Sequence, residues 1–253
     1  MKKIGVLISG TGSNLKAIIN NCNNKNINAS ISFVISDNPE ALGLQIAKEN
    51  GILIKVINFK EFKKRKDFDQ ALLNFLSSNE LDLIVLAGFM KILPRMITDK
   101  FKGRIVNIHP SILPKYPGTQ THAKVMKNKD RFHGVSIHFV NEILDSGQLI
   151  AQGIINTKPN QSESNLIKRI HKVEHLLYPK VIKYLCENKI YLEDNKVIYN
   201  LVNETYNQKK NLMYVKYKSE NKNYIKDNKV IYNLVNEKKK KKKNLMYVKY
   251  NEI

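Results

Sequence analysis

The chain has 253 residues, a formal net charge of +21, a 42% hydrophobic share and two cysteines. That length holds one large domain, or a domain with an appendage, and the apolar share supplies a real core. Cys22 and Cys186 lie far apart without motif spacing, which excludes a disulfide framework and a cysteine-built zinc site and points to a reducing, cytoplasmic setting. No apolar run is long enough to cross a bilayer, and residues 1–9 lack the length and cleavage pattern of a secretory signal.

Residues 4–8 form a short apolar run, with Gly10-Thr11-Gly12-Ser13-Asn14 directly after it and a helix opening at Leu15. Residues 31–35 read as a second strand. Asn38-Pro39 supplies a cap and a first-turn proline for a helix that Gly51 closes. Residues 52–57 are a third strand, 68–76 have helical periodicity, and 83–86 are a fully apolar strand. A short helix over 94–101 and a strand over 105–109 follow. Alternating strands and helices predict an α/β fold: an open, mostly parallel, Rossmann-like sheet with helices on both faces.

Beyond the prolines at 110, 114 and 117 the pattern changes. Val135, Ile137 and Phe139 alternate with Ser136 and His138, which predicts a half-buried strand, and 149–155 gives another. Ser162 caps a long helix over 163–184. From about residue 190 the chain repeats itself. Residues 194–204 return unchanged as 227–237, and 211–217 as 244–250. The expected organisation is a catalytic domain over 1–193 and a basic, repetitive tail over 194–253, a duplicated strand-forming segment with disordered parts. Of the net charge, +9 sits in that tail, which has 15 Lys and no Arg against 6 Asp and Glu, leaving +12 for the rest. This distribution argues against a nucleic-acid-binding role, although a basic nucleic-acid-binding protein is a rival from outside enzymology.

Three patterns can carry chemistry. The Gly10-x-Gly12 loop lacks the third glycine of a dinucleotide fingerprint, since Leu15 stands there, and no Lys-Ser/Thr pair makes it a P-loop. It fits equally a plain strand-to-helix turn or a cradle for one phosphate, built from the N–H groups of Gly12 to Asn14 and the Ser13 hydroxyl. His171-x-x-Glu174-His175 matches a zinc-peptidase pattern, which an amphipathic helix with a polar face explains better. Asn107 and His109 are two apart on a strand and so share a face. An amide that can hold an oxyanion beside an imidazole that can move a proton suits acyl transfer. An orienting acid is needed, and Asp145 on the Leu-Asp-Ser-Gly turn is the best placed, although a turn-forming Asp-x-Gly explains it too.

The segments Ile-Ser-Gly-Thr-Gly-Ser-Asn-Leu at 8–15, Leu-Ala-Gly-Phe-Met-Lys-Ile-Leu at 86–93, Asn-Ile-His-Pro-Ser-Ile-Leu-Pro at 107–114 and Leu-Asp-Ser-Gly at 144–147 closely resemble the folate-dependent formyltransferases. Within them the likeness, from residue 1 to about 190, is to the phosphoribosylglycinamide formyltransferases of purine synthesis. The resemblance implies a catalytic trio of Asn107, His109 and Asp145, with Asp145 raising the histidine pKa. It implies acceptor binding by Gly12, Ser13, Asn14 and Glu174, and formyl-folate binding by Arg65, Met90, Lys91, Ile92, Leu93 and Asn107. Lys91 stands where the family often has arginine. The implied co-substrate is 10-formyltetrahydrofolate, with small-molecule partners, no metal, no membrane and a monomer or homodimer. Methionyl-tRNA formyltransferase and formyltetrahydrofolate hydrolase share the core motif and are the rivals within the chemistry.

Overall fold

The computed structural model describes residues 1–200 and 246–250. Its strands are β1 (Lys2–Ile8), β2 (Ala29–Ser36), β3 (Ile54–Val56), β4 (Leu83–Leu86), β5 (Ile105–His109), β6 (Phe132–Phe139), β7 (Leu149–Asn156), β8 (Ile190–Glu193), β9 (Lys196–Tyr199) and β10 (Met246–Tyr250). Its helices are α1 (Ser13–Asn23), α2 (Leu42–Glu49), α3 (Arg65–Ser77), α4 (Arg95–Lys100), α5 (Thr121–Lys127) and α6 (Glu163–Cys186). The main sheet has the order β10-β7-β6-β5-β4-β1-β2-β3. Among its described strands, only β6 runs antiparallel to its neighbours, β5 and β7.

Strand alternation divides the core in two. Ile4, Val6 and Ile8 of β1 join Leu15 and Ile18 of α1, Leu44 of α2, Val125 of α5 and Val173, Leu177 and Val181 of α6 on one face. Leu7 of β1 joins Phe68, Leu72 and Leu76 of α3 and Ile97 of α4 on the other. Helices on both faces explain why β4 is apolar throughout. The strand order turns back at β1, between β2 and β4, so the loops after β1 and β4 meet at one rim of the sheet.

Three local expectations need correction, and one helix is unexpected. The second helix begins at Leu42, behind Ala41, and not at Asn38-Pro39. The Asn38 side chain accepts the Glu40 N–H and so makes a turn. The third strand is trimmed to β3, which is exposed at the sheet edge. β6 is buried along nearly its whole length instead of wet on one face. Ser136 there is covered by the segment after β5, whose Leu113 N–H it accepts. Helix α5 carries two buried residues, too weak a periodicity to be foreseen.

A hairpin, β8–β9, continues from α6 and turns through Asp194 and Asn195, both at positive φ. It therefore straddles the expected boundary at 193/194. The Tyr199 hydroxyl donates to the Ile150 carbonyl of β7, which ties the hairpin to the main sheet. β10 pairs in parallel with β7. The repeated segments 211–217 and 227–237 and the lysine run 238–243 lie outside the described residues.

Candidate active site

β5 ends at the rim with Asn107 and His109 on one face, opposite His138 and Ser136 of β6 respectively. His138 donates from Nδ1 to the Phe139 carbonyl at 2.8 Å, so in its neutral form Nε2 accepts, and the Asn107 amide donates to it at 3.2 Å. The second N–H of that amide remains for another acceptor. His109 donates from Nε2 to the Tyr116 carbonyl at 2.8 Å. A carbonyl only accepts, so Nδ1 is the nitrogen that can gain and lose a proton.

Asp145 meets that nitrogen. Its Oδ2 lies 3.3 Å from His109 Nδ1 and accepts the Gly118 N–H at 2.8 Å, and its Oδ1 lies 3.7 Å from His138 Nε2. Asp145 sits at φ 49, on a turn pressed so closely on β6 that a Cβ on Gly147 would fall 1.8 Å from the Phe139 carbonyl oxygen. Glycine is required there. Thus the structure brings Asn107, His109 and Asp145 together and adds His138. Its chain spacing could not mark His138, because only the β5–β6 register sets it against Asn107.

Burial lowers the pKa of His109, and the Tyr116 carbonyl and the Asp145 charge oppose this only in part. Asp145 does pull upward, as expected, but desolvation outweighs it. Burial works to raise Asp145 itself. The His138 ring, the hydrogen bond from the Gly118 N–H and the nearby His109 together bring it below the ordinary carboxylate value.

The glycine loop is at the neighbouring rim position. Gly12 is the N-cap of α1 at φ 74, without a side-chain cap, so the first N–H groups of the helix are not taken by a capping side chain. A Cβ on Gly12 would lie 2.5 Å from the Gly43 Cα, so this glycine also lets α2 approach. Ser13 is half-buried. Asn14 turns away from the loop and donates to Glu174 of α6 at 2.9 Å. Burial pushes the Glu174 carboxyl up to about 7 against that hydrogen bond. One turn on, Tyr178 directs its hydroxyl at the Leu86 and Val106 carbonyls, at 3.0 and 3.1 Å. Helix α6 thereby links the loop helix to the strands that carry Asn107 and the 87–93 segment.

His171 and His175 stack with ring centroids 6.0 Å apart, while Glu174 faces Asn14. The zinc reading is therefore not assembled, and among the described residues no three His, Cys, Asp or Glu groups converge as a metal site would require.

The 87–93 segment is fixed to the loop after β1. The Ser9 N–H donates to the Gly88 carbonyl, and the Met90 N–H donates to Ser9 Oγ. Arg65 pairs with Asp69 and donates to the Ile92 carbonyl. Lys91 lies 3.4 Å from Asp37 and over the Phe59 ring. Asp37 thus serves as a buried charge partner, accepting from Ser9 as well. Met90 and Ile92 are exposed, whereas Leu93 packs into the core and presents no side chain at the surface.

The formyl transferase family model matches residues 2–182. The chain belongs to the formyl transferase family. Two curated relatives are phosphoribosylglycinamide formyltransferases. That of Haemophilus influenzae is 43% identical over 195 residues, covering 77% of this chain and 92% of the relative. That of Escherichia coli is 38% identical over 192 residues, covering 76% and 91%. Among solved structures, the phosphoribosylglycinamide formyltransferase of Coxiella burnetii superposes with a TM-score of 0.75 at 38% identity, over 79% of this chain and 93% of that one. A glycinamide ribonucleotide transformylase from Symbiobacterium toebii gives 0.75 at 34% identity, over 79% and 94%. For a formyl transferase of this kind the fold is the mostly parallel α/β sheet expected. The family uses 10-formyltetrahydrofolate as co-substrate. No described helix is long and apolar enough to cross a membrane.

Proposed function

We propose that this chain transfers the formyl group of 10-formyltetrahydrofolate to the amine of 5′-phosphoribosylglycinamide, a step of de novo purine biosynthesis. Asn107, His109 and Asp145 carry the reaction. The observation that bears most weight is the Asp145 carboxyl, brought from a separate turn to 3.3 Å from His109 beside Asn107. The glycinamide amine attacks the formyl carbon, and the carbonyl oxygen becomes an oxyanion that accepts the free N–H of Asn107. The bond to N10 of the folate then breaks. The proton lost by the attacking amine reaches N10 by way of His109 Nδ1 and Asp145, so protons balance without a covalent enzyme intermediate.

The acceptor lies towards Gly12, Ser13, Asn14 and Glu174, its 5′-phosphate at the uncapped start of α1. The formyl folate lies along Arg65 and residues 90–93, against the exposed Met90 and Ile92 side chains, with Lys91 and Leu93 contributing backbone. A cytoplasmic setting goes with this reading, supported by the two free cysteines. So do a catalytic unit over 1–193, a tail over 194–253 that the reaction does not need, and a monomer or homodimer in solution.

The test gives purified full-length chain 10-formyltetrahydrofolate with phosphoribosylglycinamide, with charged initiator tRNA, or with water alone. Formyl transfer only to the first is expected. Transfer to the tRNA, or hydrolysis at a matching rate, overturns the proposal in favour of the corresponding rival.

A further inference from the structure

Two groups of the reacting cluster are held by irregular backbone. The Tyr116 carbonyl takes the His109 Nε2–H, and the Gly118 N–H holds Asp145, both at 2.8 Å. Tyr116 lies at φ 57 between β5 and α5, where no helix or strand fixes it. Its side chain is tied at the far end, where the hydroxyl donates to Asp130 at 2.8 Å, and its backbone depends also on what anchors the start of the loop.

Two buried side chains on β6 and β7 do so. Ser136 Oγ accepts the Leu113 N–H at 2.9 Å and donates to the Ser111 carbonyl at 2.6 Å. Gln152 Nε2 donates to the Leu113 carbonyl and to Ser136 Oγ, both at 2.8 Å. Ser136 is 0% exposed and Gln152 2%. The hydroxyl proton of Ser136 and both amide protons of Gln152 are thus used within the loop and each other. Such a matched buried network costs stability when one member is removed and admits few alternative arrangements. Ser111 continues it, donating to the Lys115 carbonyl beside Tyr116.

We propose that Ser136 and Gln152 are positioning residues for the formyl transfer, fixing through the 111–116 loop which nitrogen of His109 keeps its proton. The proposal rests on the assignment of His109 and Asp145 to the chemistry. When the loop relaxes, the Tyr116 carbonyl leaves Nε2 and the ring loses a partner that favours its charged form. Asp145 on the turn after β6, His138 and His133 on β6, and Lys124 and His122 on α5 also act on His109. Neither Ser136→Ala nor Gln152→Met alters any of them.

The experiment combines steady-state kinetics of the full chain with an NMR titration of its histidines after 15N labelling, without substrate. In both variants the expected kcat is about tenfold lower or less, with both KM values within about twofold. The His109 midpoint moves to lower pH, and the limb of the kcat profile that follows it moves equally. An unchanged His109 titration overturns the proposal, whether or not kcat falls, because a loss of packing alone would lower kcat without moving it. The titration needs no turnover, so it answers even where the catalytic assignment fails. If Gln152→Met does not fold, Ser136→Ala, which removes one hydroxyl, decides.

Discussion

Asp145 and Glu174 are both carboxyls buried near the same rim, yet their surroundings drive them opposite ways. Asp145 is met by a backbone N–H and two imidazoles, and is held below its usual range. Glu174 has one neutral amide for a partner, and burial lifts it to about 7. Partners and depth act together here, since Glu174 is also the more deeply buried of the two. Asp145 stays ionised and can stabilise positive charge. Glu174, titrating near neutrality, can donate a hydrogen bond as well as accept one.

Kinetics would break that division most directly. His109→Ala and Asn107→Ala are expected to lower kcat by about 10²–10⁴-fold with KM nearly kept. Near-normal turnover in either would remove the rim from the reaction. Glu174→Gln should instead raise KM for the acceptor by about tenfold and leave kcat within a few-fold.

The same substitution separates the two acids by stability. The folded value of Glu174 lies above its ordinary 4.5, so between pH 4.5 and about 7 the folded state binds more protons than the unfolded one. Stability is therefore lost as pH rises through that window. Glu174→Gln escapes the loss and should gain about 3 kcal/mol on the wild type by pH 8, since each tenfold change in proton affinity is worth about 1.4 kcal/mol. Urea melts at pH 4, 6 and 8 measure it, and a constant difference would mean that folding does not raise the Glu174 pKa.

His122 and His133 supply the opposite slope. They hydrogen-bond to each other at 2.9 Å, and burial presses them down to about 4 and about 3. The folded state then binds fewer protons below pH 6.5, so stability falls as pH drops from there towards 4. His133→Gln should remove about 3 kcal/mol of that acid loss by pH 4, read from the same melts. As a surface control, Arg95→Ala breaks only the exposed pair with Asp99 and should cost less than about 0.5 kcal/mol with kcat unchanged.

The strands and α6 are legible in the chain because each has its own periodicity. The cap at Ser162 is as well, and its hydroxyl accepts the Asn165 N–H. Asn107 and His109 can be paired by counting along one strand. Asp145 can only be nominated, because its distance from His109 depends on how a turn folds back over β6. His138, Ser136 and Gln152 are out of reach for a similar reason. Strand register sets His138 against Asn107, 31 residues away, while Ser136 and Gln152 reach Ser111 and Leu113, 25 and 39 residues away, only where the loop after β5 folds over β6 and β7. Leu93 escapes a motif-based reading because a folate-wall motif does not say which of its side chains turn inward.

The Tyr178 hydroxyl bridges the ends of β4 and β5 from inside the helix layer. A mutation there would touch no substrate, yet it would remove the hydrogen bond that ties α6 to the root of the segments carrying Gly88 and Asn107. Selection on this chain therefore has to guard the hidden side of α6 as strictly as the rim of the sheet, and divergence along that helix should spare the tyrosine while its outer face drifts.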